Sequence, residues 1–138
     1  MTRMLIPVLD HGGAVEAARY AAFMFLEHGV TEVELLEVLE PVAQGRAAAF
    51  HTRNSLLRHE KHAMLKASID ARTILEEAGV PYHWKRVFGH PAKAIADYIA
   101  ATRPDVMVID ASRMGFFRRL AVLASLSRRT VTPVTMVH

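Results

Sequence analysis

Val106-Met-Val-Ile-Asp110, an apolar stretch followed by Ala111-Ser-Arg-Met-Gly115, decides the fold of this chain. The pattern predicts a buried strand that runs through a short loop into a helix over 116–130, and Pro133-Val-Thr-Met-Val137 predicts the next strand. In open α/β sheets, ligands bind beyond the carboxyl ends of the strands, where the start of a helix offers free N–H groups to an anion. The loop therefore lies where a phosphate-binding loop would lie, although it lacks most of the glycines that such loops use.

The rest of the chain alternates between strand and helix patterns. Strands are predicted at 3–8, 32–39, 82–88, 106–110 and 133–137, and helices at 14–28, 55–78, 91–98 and 116–130. The segment 41–54 is predicted to be irregular. Because parallel strands need helical crossovers, this order predicts one α/β domain over residues 1–138. Its three layers are a five-stranded parallel sheet and helices on both faces, a Rossmann-like arrangement.

Composition excludes several classes of protein. The apolar share of 51% suits a globular core, and no apolar run approaches the roughly 20 residues needed to span a bilayer. The first residues lead straight into a strand pattern, so neither a signal peptide nor a membrane anchor is expected. The chain has no cysteine, which excludes disulfides and cysteine metal sites. This composition suits the reducing cytoplasm, which is the predicted location.

Positive charge is concentrated near the loop. The formal net charge is +3, and residues 101–138 alone carry +4, from six arginines and two aspartates. One interpretation is residual anion binding. The other, which we favour, is a solvated helix face on which Arg128 and Arg129 complement the C-terminal helix dipole. No nucleic-acid partner is predicted, since the basic region has neither interleaved aromatic residues nor a recognisable base-reading motif.

The final strand predicts how the chain associates. Val134-Thr-Met-Val137 is expected at a sheet edge, where unpaired backbone groups accept a further strand. A two-fold homodimer through this strand satisfies those groups, and an unknown protein partner is a further expectation. The alternative is a monomer whose short edge is protected by Pro133.

The order of several short motifs strongly resembles the universal stress protein family over essentially the whole chain. The motifs are Met4-Leu-Ile-Pro-Val8, Gly89-His-Pro91 followed by Ile95, Asp105-Val-Met-Val-Ile109, Ser125-Leu-Ser-Arg-Arg129 and Pro133-Val134. The resemblance implies a five-stranded parallel sheet of the adenine nucleotide alpha hydrolase-like type and dimers formed through the last strand. It also implies membership of either an ATP-binding or a non-ATP-binding branch.

The glycine motif of the ATP-binding branch is degenerate in this chain. Its three glycine positions fall on Ala111, Met114 and Ala124, and the last is followed by Ser125. The ribose-binding aspartate of that branch falls on Leu9. The resemblance thus implies a vestigial nucleotide pocket whose candidate residues are Pro7, Val8, Asp10, Val38, Ala111, Arg113, Gly115, Ala124 and Ser125.

These replacements predict weak nucleotide binding. Glycine permits positive φ and close approach of backbone N–H groups to phosphate, whereas another residue in left-handed geometry costs roughly 1–2 kcal/mol. Met114 is expected to occupy phosphate space. Loss of two charge-assisted hydrogen bonds would cost about 3–6 kcal/mol, a hundred- to ten-thousand-fold in affinity. We therefore predict no cofactor, with ATP or AMP as the alternative if Gly115, Ser125 and the nearby arginines replace the usual loop.

No catalytic or metal-binding group is predicted. Ser125 lacks the Gly-x-Ser-x-Gly turn and a paired base, and His11 and His90 are interpreted as solvated loop residues beside the ligand face. His59 and His62 have a helical spacing that suits one metal ion, but no third ligand is apparent, and we interpret them as solvent-facing. A non-enzymatic stress-response protein is therefore the leading prediction, and a nucleotide or phosphate-ester hydrolase is the second alternative.

Two aromatic residues open the helix after the loop. Phe116 and Phe117 are adjacent, so their side chains point in different directions on a helix. One ring is expected to pack into the core, while an exposed ring would indicate a partner surface or a lid.

Overall fold

A computed structural model describes residues 1–9, 13–39 and 51–138, with residues 51–61 described by their backbone alone. Within these ranges, strands and helices alternate along the chain. The strands are β1 (Arg3–Val8), β2 (Glu32–Leu39), β3 (Tyr82–Phe88), β4 (Val106–Asp110) and β5 (Val134–Val137). The helices are α1 (Val15–Leu26), α2 (His51–Glu77), α3 (Pro91–Thr102) and α4 (Phe116–Ser127).

All five strands form one parallel sheet in the order β3-β2-β1-β4-β5. This confirms the predicted α/β class and the predicted position of β5 at an edge. The strand order reverses between β1 and β4, so the carboxyl ends of these two strands flank the topological switch point. Open α/β sheets bind ligands at such a point.

Helix ends differ from the predictions by a few residues. α2 begins at His51, so residues 51–54 are helical rather than irregular, and the rest of that predicted segment lies outside the described residues. α3 continues past Tyr98 because Ile99 is still buried against the sheet. It ends where Arg103 takes a left-handed conformation, with φ of 50°, directly before Pro104. α4 ends at Ser127 rather than at 130.

The sheet carries a hydrophobic core on each face. Side chains alternate along β1, so that Met4, Ile6 and Val8 pack under α1 and α2 while Leu5 packs under α3 and α4. α1 approaches the sheet closely because the residues that it buries are alanines: Ala17, Ala18 and Ala21. Met64, Ala71 and Leu75 form the buried stripe of α2, as the helical spacing predicts.

The α1/α2 face also contains a buried ion-pair cluster. The Glu37 side chain in β2 is fully buried and accepts a hydrogen bond from the Ser68 hydroxyl at 2.7 Å. Arg86 in β3 donates to the same carboxylate at 2.9 Å, and Arg72 in α2 donates at 3.2 Å. The Arg72 guanidinium stacks over Trp84, 4.4 Å from the ring centre. These contacts tie the edge strand β3 to β2 and α2.

In the part of the chain that the structure describes, no helix has the length and hydropathy required to cross a membrane.

Candidate functional site

A cavity of about 260 Å³ opens at the carboxyl edge of the sheet, between α3 and α4. Leu9, the residue after β1, lies at its base, and residues 90–92 form the wall at the start of α3. The opposite wall comes from one side of α4. The cavity therefore lies beside the topological switch point, on the face of the sheet covered by α3 and α4.

The lining of the cavity is apolar below and polar at a few positions. The buried side chains of Leu9, Ile95 and Leu126 line it together with Val122. Its polar lining residues are His90, Arg118 and Ser125. No aspartate or glutamate occurs among its lining residues within the described ranges 1–9, 13–39 and 51–138.

The loop after β4 does not use left-handed geometry. Among the described residues, positive φ values occur at His28, Gly79, Gly89 and Arg103, and therefore nowhere between residues 111 and 115. The Met114 amide donates to the Ala111 carbonyl at 3.0 Å, which closes a tight turn. The strain expected for non-glycine residues in this loop is thus absent, because the backbone takes a path that any residue can adopt.

The side chains of Met114 and Arg119 pack against the protein rather than into the space where a bound phosphate is expected. Met114 is 5% exposed and belongs to the core cluster under α3 and α4, so the expectation that it would fill the phosphate position is wrong. Arg119 donates to the carbonyl of Ala111 at 3.1 Å and covers the loop. Gly115 is the N-cap of α4, with φ of −71° and no side-chain cap.

Asp110 is the buried charged residue of this loop region. Its side chain is 2% exposed and points to the start of α1, where it accepts from the amide of Glu16 at 2.9 Å and that of Ala17 at 3.3 Å. Its other oxygen accepts from the Ser112 amide at 3.0 Å and from the Ser112 hydroxyl. Asp110 therefore caps α1 from a distant strand, since Ala14 at the N-cap provides no side-chain cap.

Gly13 fits closely against this carboxylate. A Cβ atom at position 13 would lie 3.3 Å from Asp110 Oδ2 and 3.4 Å from the Ser112 hydroxyl. The contact is tighter than a relaxed side chain adopts, so the absence of a side chain lets Asp110 reach the α1 amides. Gly13, directly before the N-cap of α1, thus makes room for the carboxylate.

The structure separates most of the predicted site residues. Ser125 lies in the cavity wall, whereas Val38 and Ala111 are buried in the core cluster beneath it. Pro7 and Val8 are buried in β1, and Val8 packs on the opposite face of the sheet. Three more predicted residues are exposed outside the cavity wall: Arg113, Gly115 and Ala124. Asp10 lies outside the described residues, and the assignment of these residues to a binding site stays a prediction.

Sequence reasoning placed His90 beside the ligand face, where the structure finds it in the cavity wall, but it missed the role of Asp110. A charged residue at the end of an otherwise apolar strand is a recognisable signal, because a buried carboxylate needs several donors. Its donors lie 93 and 94 residues earlier in the chain, which no local pattern indicates.

Phe116 and Phe117 are both exposed, at 68% and 83%, so the expectation that one ring packs into the core is wrong. Their rings contact each other edge to face, with centroids 5.6 Å apart. α4 rests on the sheet through its C-terminal half, where Leu126 is its fully buried residue. The N-terminal turn of α4 therefore projects its aromatic side chains into solvent.

One tyrosine on α3 has a strongly raised pKa. Burial, followed by the Glu34 carboxylate beside it, raises the pKa of Tyr98 to about 12. No cluster of three or more metal-ligating side chains occurs among the described residues. The His59 side chain lies outside the described residues, and His62 is exposed. The sequence prediction of no metal site therefore stays a prediction.

Comparison with known proteins places this fold. The family model described as the universal stress protein family matches residues 1–138. UspA from Lactobacillus plantarum has a similar structure, with a TM-score of 0.70 and 20% identity, covering 99% of this chain and 97% of that one. No curated protein matches at a significant level.

Two structurally similar proteins were crystallised with nucleotides. The universal stress protein from Archaeoglobus fulgidus in complex with dAMP has a TM-score of 0.67 and 15% identity, over 100% of this chain and 98% of that one. A universal stress protein family member from Arabidopsis thaliana with AMP bound has a TM-score of 0.61 and 19% identity, over 99% and 91%. At these identities the likeness concerns the fold. With the family match extending over the whole sequence, this chain belongs to the universal stress protein family.

Proposed function

We propose that this chain is a nucleotide-independent universal stress protein, a cytoplasmic homodimer that acts through protein contacts without catalytic turnover. The observation that carries the proposal is the buried Asp110 carboxylate at the head of the loop after β4. The cysteine-free composition supports the reducing compartment.

Asp110 opposes nucleotide binding in two ways. It takes the Ser112 amide at 3.0 Å, one of the backbone donors that this loop would otherwise offer to a phosphate. It also places a negative charge in a buried position, where the attraction or repulsion between charges is stronger than in water. A triphosphate brought to this loop would meet a carboxylate of the same sign. Leu9 adds to the effect, because an apolar side chain stands where the resemblance places the ribose-binding aspartate.

A second candidate function is a nucleotide-binding regulator that uses a modified loop. It is favoured by the exposed guanidinium groups of Arg113 and Arg118 and by the N-terminus of α4, which has no side-chain cap. Relatives of the same fold hold AMP and dAMP. Against this candidate stands the entropy that both arginines would lose on binding, in addition to the repulsion from Asp110.

Isothermal titration calorimetry with ATP and Mg²⁺, and separately with AMP, tests the proposal. We expect no saturable heat at millimolar nucleotide, while the dAMP-binding relative from Archaeoglobus fulgidus serves as the positive control with dAMP. The Asp110→Asn variant removes the charge and keeps the shape of the side chain, so any weak nucleotide binding should strengthen in it. Saturable micromolar binding by the unmodified protein would overturn nucleotide independence.

Absence of turnover needs its own measurement. The cavity contains Ser125 and His90, but no hydrogen bond joins them among the contacts that the structure describes. We therefore expect phosphate release from ATP and from p-nitrophenyl phosphate to equal that of a Ser125→Ala control. Release above the control would support a hydrolase instead.

The proposed dimer forms through the free side of β5. The Pro133 carbonyl accepts from the Met107 amide in β4 at 2.9 Å, and the Val137 carbonyl accepts from the amide of Ala111, directly after β4, at 2.8 Å. Alternate backbone groups of β5 therefore point to β4. The backbone groups of Val134 and Met136 consequently point away from the sheet, where the strand of a second copy can pair with them. The four side chains of β5 are already half-buried, so only a limited apolar surface remains to be buried when a second copy pairs with the strand.

The oligomeric state tests this part of the proposal. Analytical ultracentrifugation should show a dimer, and Thr135→Lys should convert it to a monomer because it adds a charge to the paired edge. His83→Lys adds the same group at the opposite sheet edge, on β3, and should leave the dimer intact. A monomeric wild-type chain, or equal effects of both variants, would contradict the β5 interface.

A further inference from the structure

We propose that the cavity between α3 and α4 binds a small organic acid with an apolar body, whose carboxylate pairs with Arg118. This inference rests on the proposed function, since it concerns the same end of the sheet and requires that no nucleotide occupies it. It adds a ligand class that the nucleotide-independent reading leaves open.

The base of the cavity selects an apolar group. Leu9 is 5% exposed, Ile95 and Leu126 are each 1% exposed, and all three line the cavity. A sugar would bury its hydroxyl groups against these side chains without partners, which is unfavourable. A phenyl ring or a short alkyl chain has no such cost and gains from leaving water.

Arg118 supplies the charge that selects an acid. It lines the cavity and is exposed, and it makes no hydrogen bond or ion pair with any residue that the structure describes. Its neighbour Arg119 differs, because that guanidinium is committed to the Ala111 carbonyl at 3.1 Å. A free guanidinium above an apolar cavity matches a carboxylate with its planar pair of donors. Among the lining residues that the structure describes, none is acidic and able to compete for it.

Two further polar side chains complete the rim. Ser125 is half-buried and carries a hydroxyl that can donate to the second carboxylate oxygen. His90 stands at the opposite wall, directly before α3. Arg118 and Ser125 both belong to α4, so they restrict the polar end of a ligand to that side of the cavity, as convergent polar groups do in ligand sites.

The size of the cavity limits the ligand. Its volume of about 260 Å³ lies below the roughly 300–1,000 Å³ of sites for drug-sized molecules. It exceeds the roughly 150 Å³ of a cavity that holds benzene. One aromatic ring with a short side chain, or a medium-length alkyl chain, therefore fits, whereas a nucleoside triphosphate exceeds the enclosed space.

Titration of the ¹⁵N-labelled full chain with phenylacetate and octanoate tests the inference. We expect saturable shifts of the amides of Leu9, Ile95 and Leu126. Phenylacetamide and octanamide, which have the same bodies without the charge, should bind at least tenfold more weakly. Acetate, which has the charge without the body, should give no saturable shift.

Two variants separate the contributions. Arg118→Gln should weaken phenylacetate binding about tenfold and leave phenylacetamide binding unchanged, while Arg129→Gln, two residues beyond the C-terminal end of α4, should affect neither. Val122→Phe should fill the cavity and abolish binding of both, with an unchanged fold shown by the remaining spectrum. If Arg118→Gln and Arg129→Gln behave alike, or if no acid saturates the protein, the inference fails.

The outcomes also separate this inference from the proposed function. Binding of neither acid nor ATP would refute the inference and leave nucleotide independence intact. Saturable ATP binding that competes with phenylacetate would refute nucleotide independence and would assign the cavity to a nucleotide.

Discussion

The two faces of the sheet differ in how completely they are packed. On the α1/α2 face, α1 packs on the sheet through three buried alanines. The same face holds two buried carboxylates, Glu37 and Asp110, and each accepts the hydrogen bonds described above. On the α3/α4 face, α4 fully buries Leu126, while its first turn exposes two phenylalanines and a cavity opens beside it. Both faces have a buried core, but the second also leaves room for a ligand or a partner.

If the two faces differ in this way, substitution of Glu37 should lower the unfolding free energy more than any other change considered below. Replacing it by alanine leaves Arg72 and Arg86 without their shared carboxylate, and we expect a loss of about 3–4 kcal/mol in unfolding free energy. Glu32→Ala is the control on the same strand, because Glu32 meets Arg3 at 3.9 Å in a partly exposed pair. The control should lose less than about 1 kcal/mol. Urea denaturation measures both, and equal losses would contradict the buried role of Glu37.

Substitution of Asp110 should give the second largest loss of stability, because it leaves buried amides at the start of α1 without a hydrogen-bond acceptor. We expect Asp110→Ala to cost about 2–3 kcal/mol, measured by urea denaturation. Asp105→Ala provides the matched control, since Asp105 also accepts a backbone amide, from Arg3 at 2.8 Å, but in an exposed position. Its loss should be about 1 kcal/mol. Faster amide hydrogen exchange at Glu16 and Ala17 in the Asp110 variant would show that the cap was lost.

Leu126 tests the packing of the other face. Leu126→Ala should cost about 2 kcal/mol, at the low end for buried leucines, because α4 borders an existing cavity and can settle into it. Leu120 on the same helix is 51% exposed, and its alanine variant should stay within about 0.5 kcal/mol of the original protein. Thermal unfolding compares the two. If Leu126→Ala lowered the unfolding free energy as much as Glu37→Ala does, the proposed difference in packing between the two faces of the sheet would be wrong.

The smallest expected effect is the contribution of Tyr98, on α3, to the pH dependence of the unfolding free energy. Burial and the nearby Glu34 carboxylate raise its pKa from 10.0 to about 12, so the folded chain holds this proton more tightly than the unfolded chain does. The stabilisation is complete below pH 10 and is lost as the pH rises through about 12. Partial solvent exposure keeps the effect small.

The measurement for Tyr98 is the unfolding free energy as a function of pH. Between pH 10 and about 12, we expect the fall in stability to be less steep in Tyr98→Phe than in the original protein. Identical slopes would show that α3 leaves this side chain as accessible as it is in the unfolded chain.

Local patterns in the sequence predicted the frame of the molecule. The apolar run 106–110 is one such short-range signal, and each strand and helix lies within a few residues of its predicted position. Their alternation predicted a parallel sheet because parallel strands need crossovers. The edge position of β5 followed from its place at the end of this series.

The candidate site was less predictable because it depends on distant contacts. The resemblance to the family motif placed Ser125 in the candidate pocket, and the structure finds it in the cavity wall. Spacing did not show that Met114 turns into the core or that both Phe116 and Phe117 face solvent, since these directions depend on how the loop and α4 pack against the sheet.

The sequence by itself determined the order of strands and helices, the family and the loss of the loop glycines, because these depend on residues near one another or on their order along the chain. Only the tertiary structure decided that Asp110 caps α1, that Arg118 has no partner among the described residues and that an apolar cavity lies between α3 and α4. Hydrogen-bond partners and cavities arise where elements from distant parts of the chain meet, and that meeting depends on how complete helices pack on the sheet.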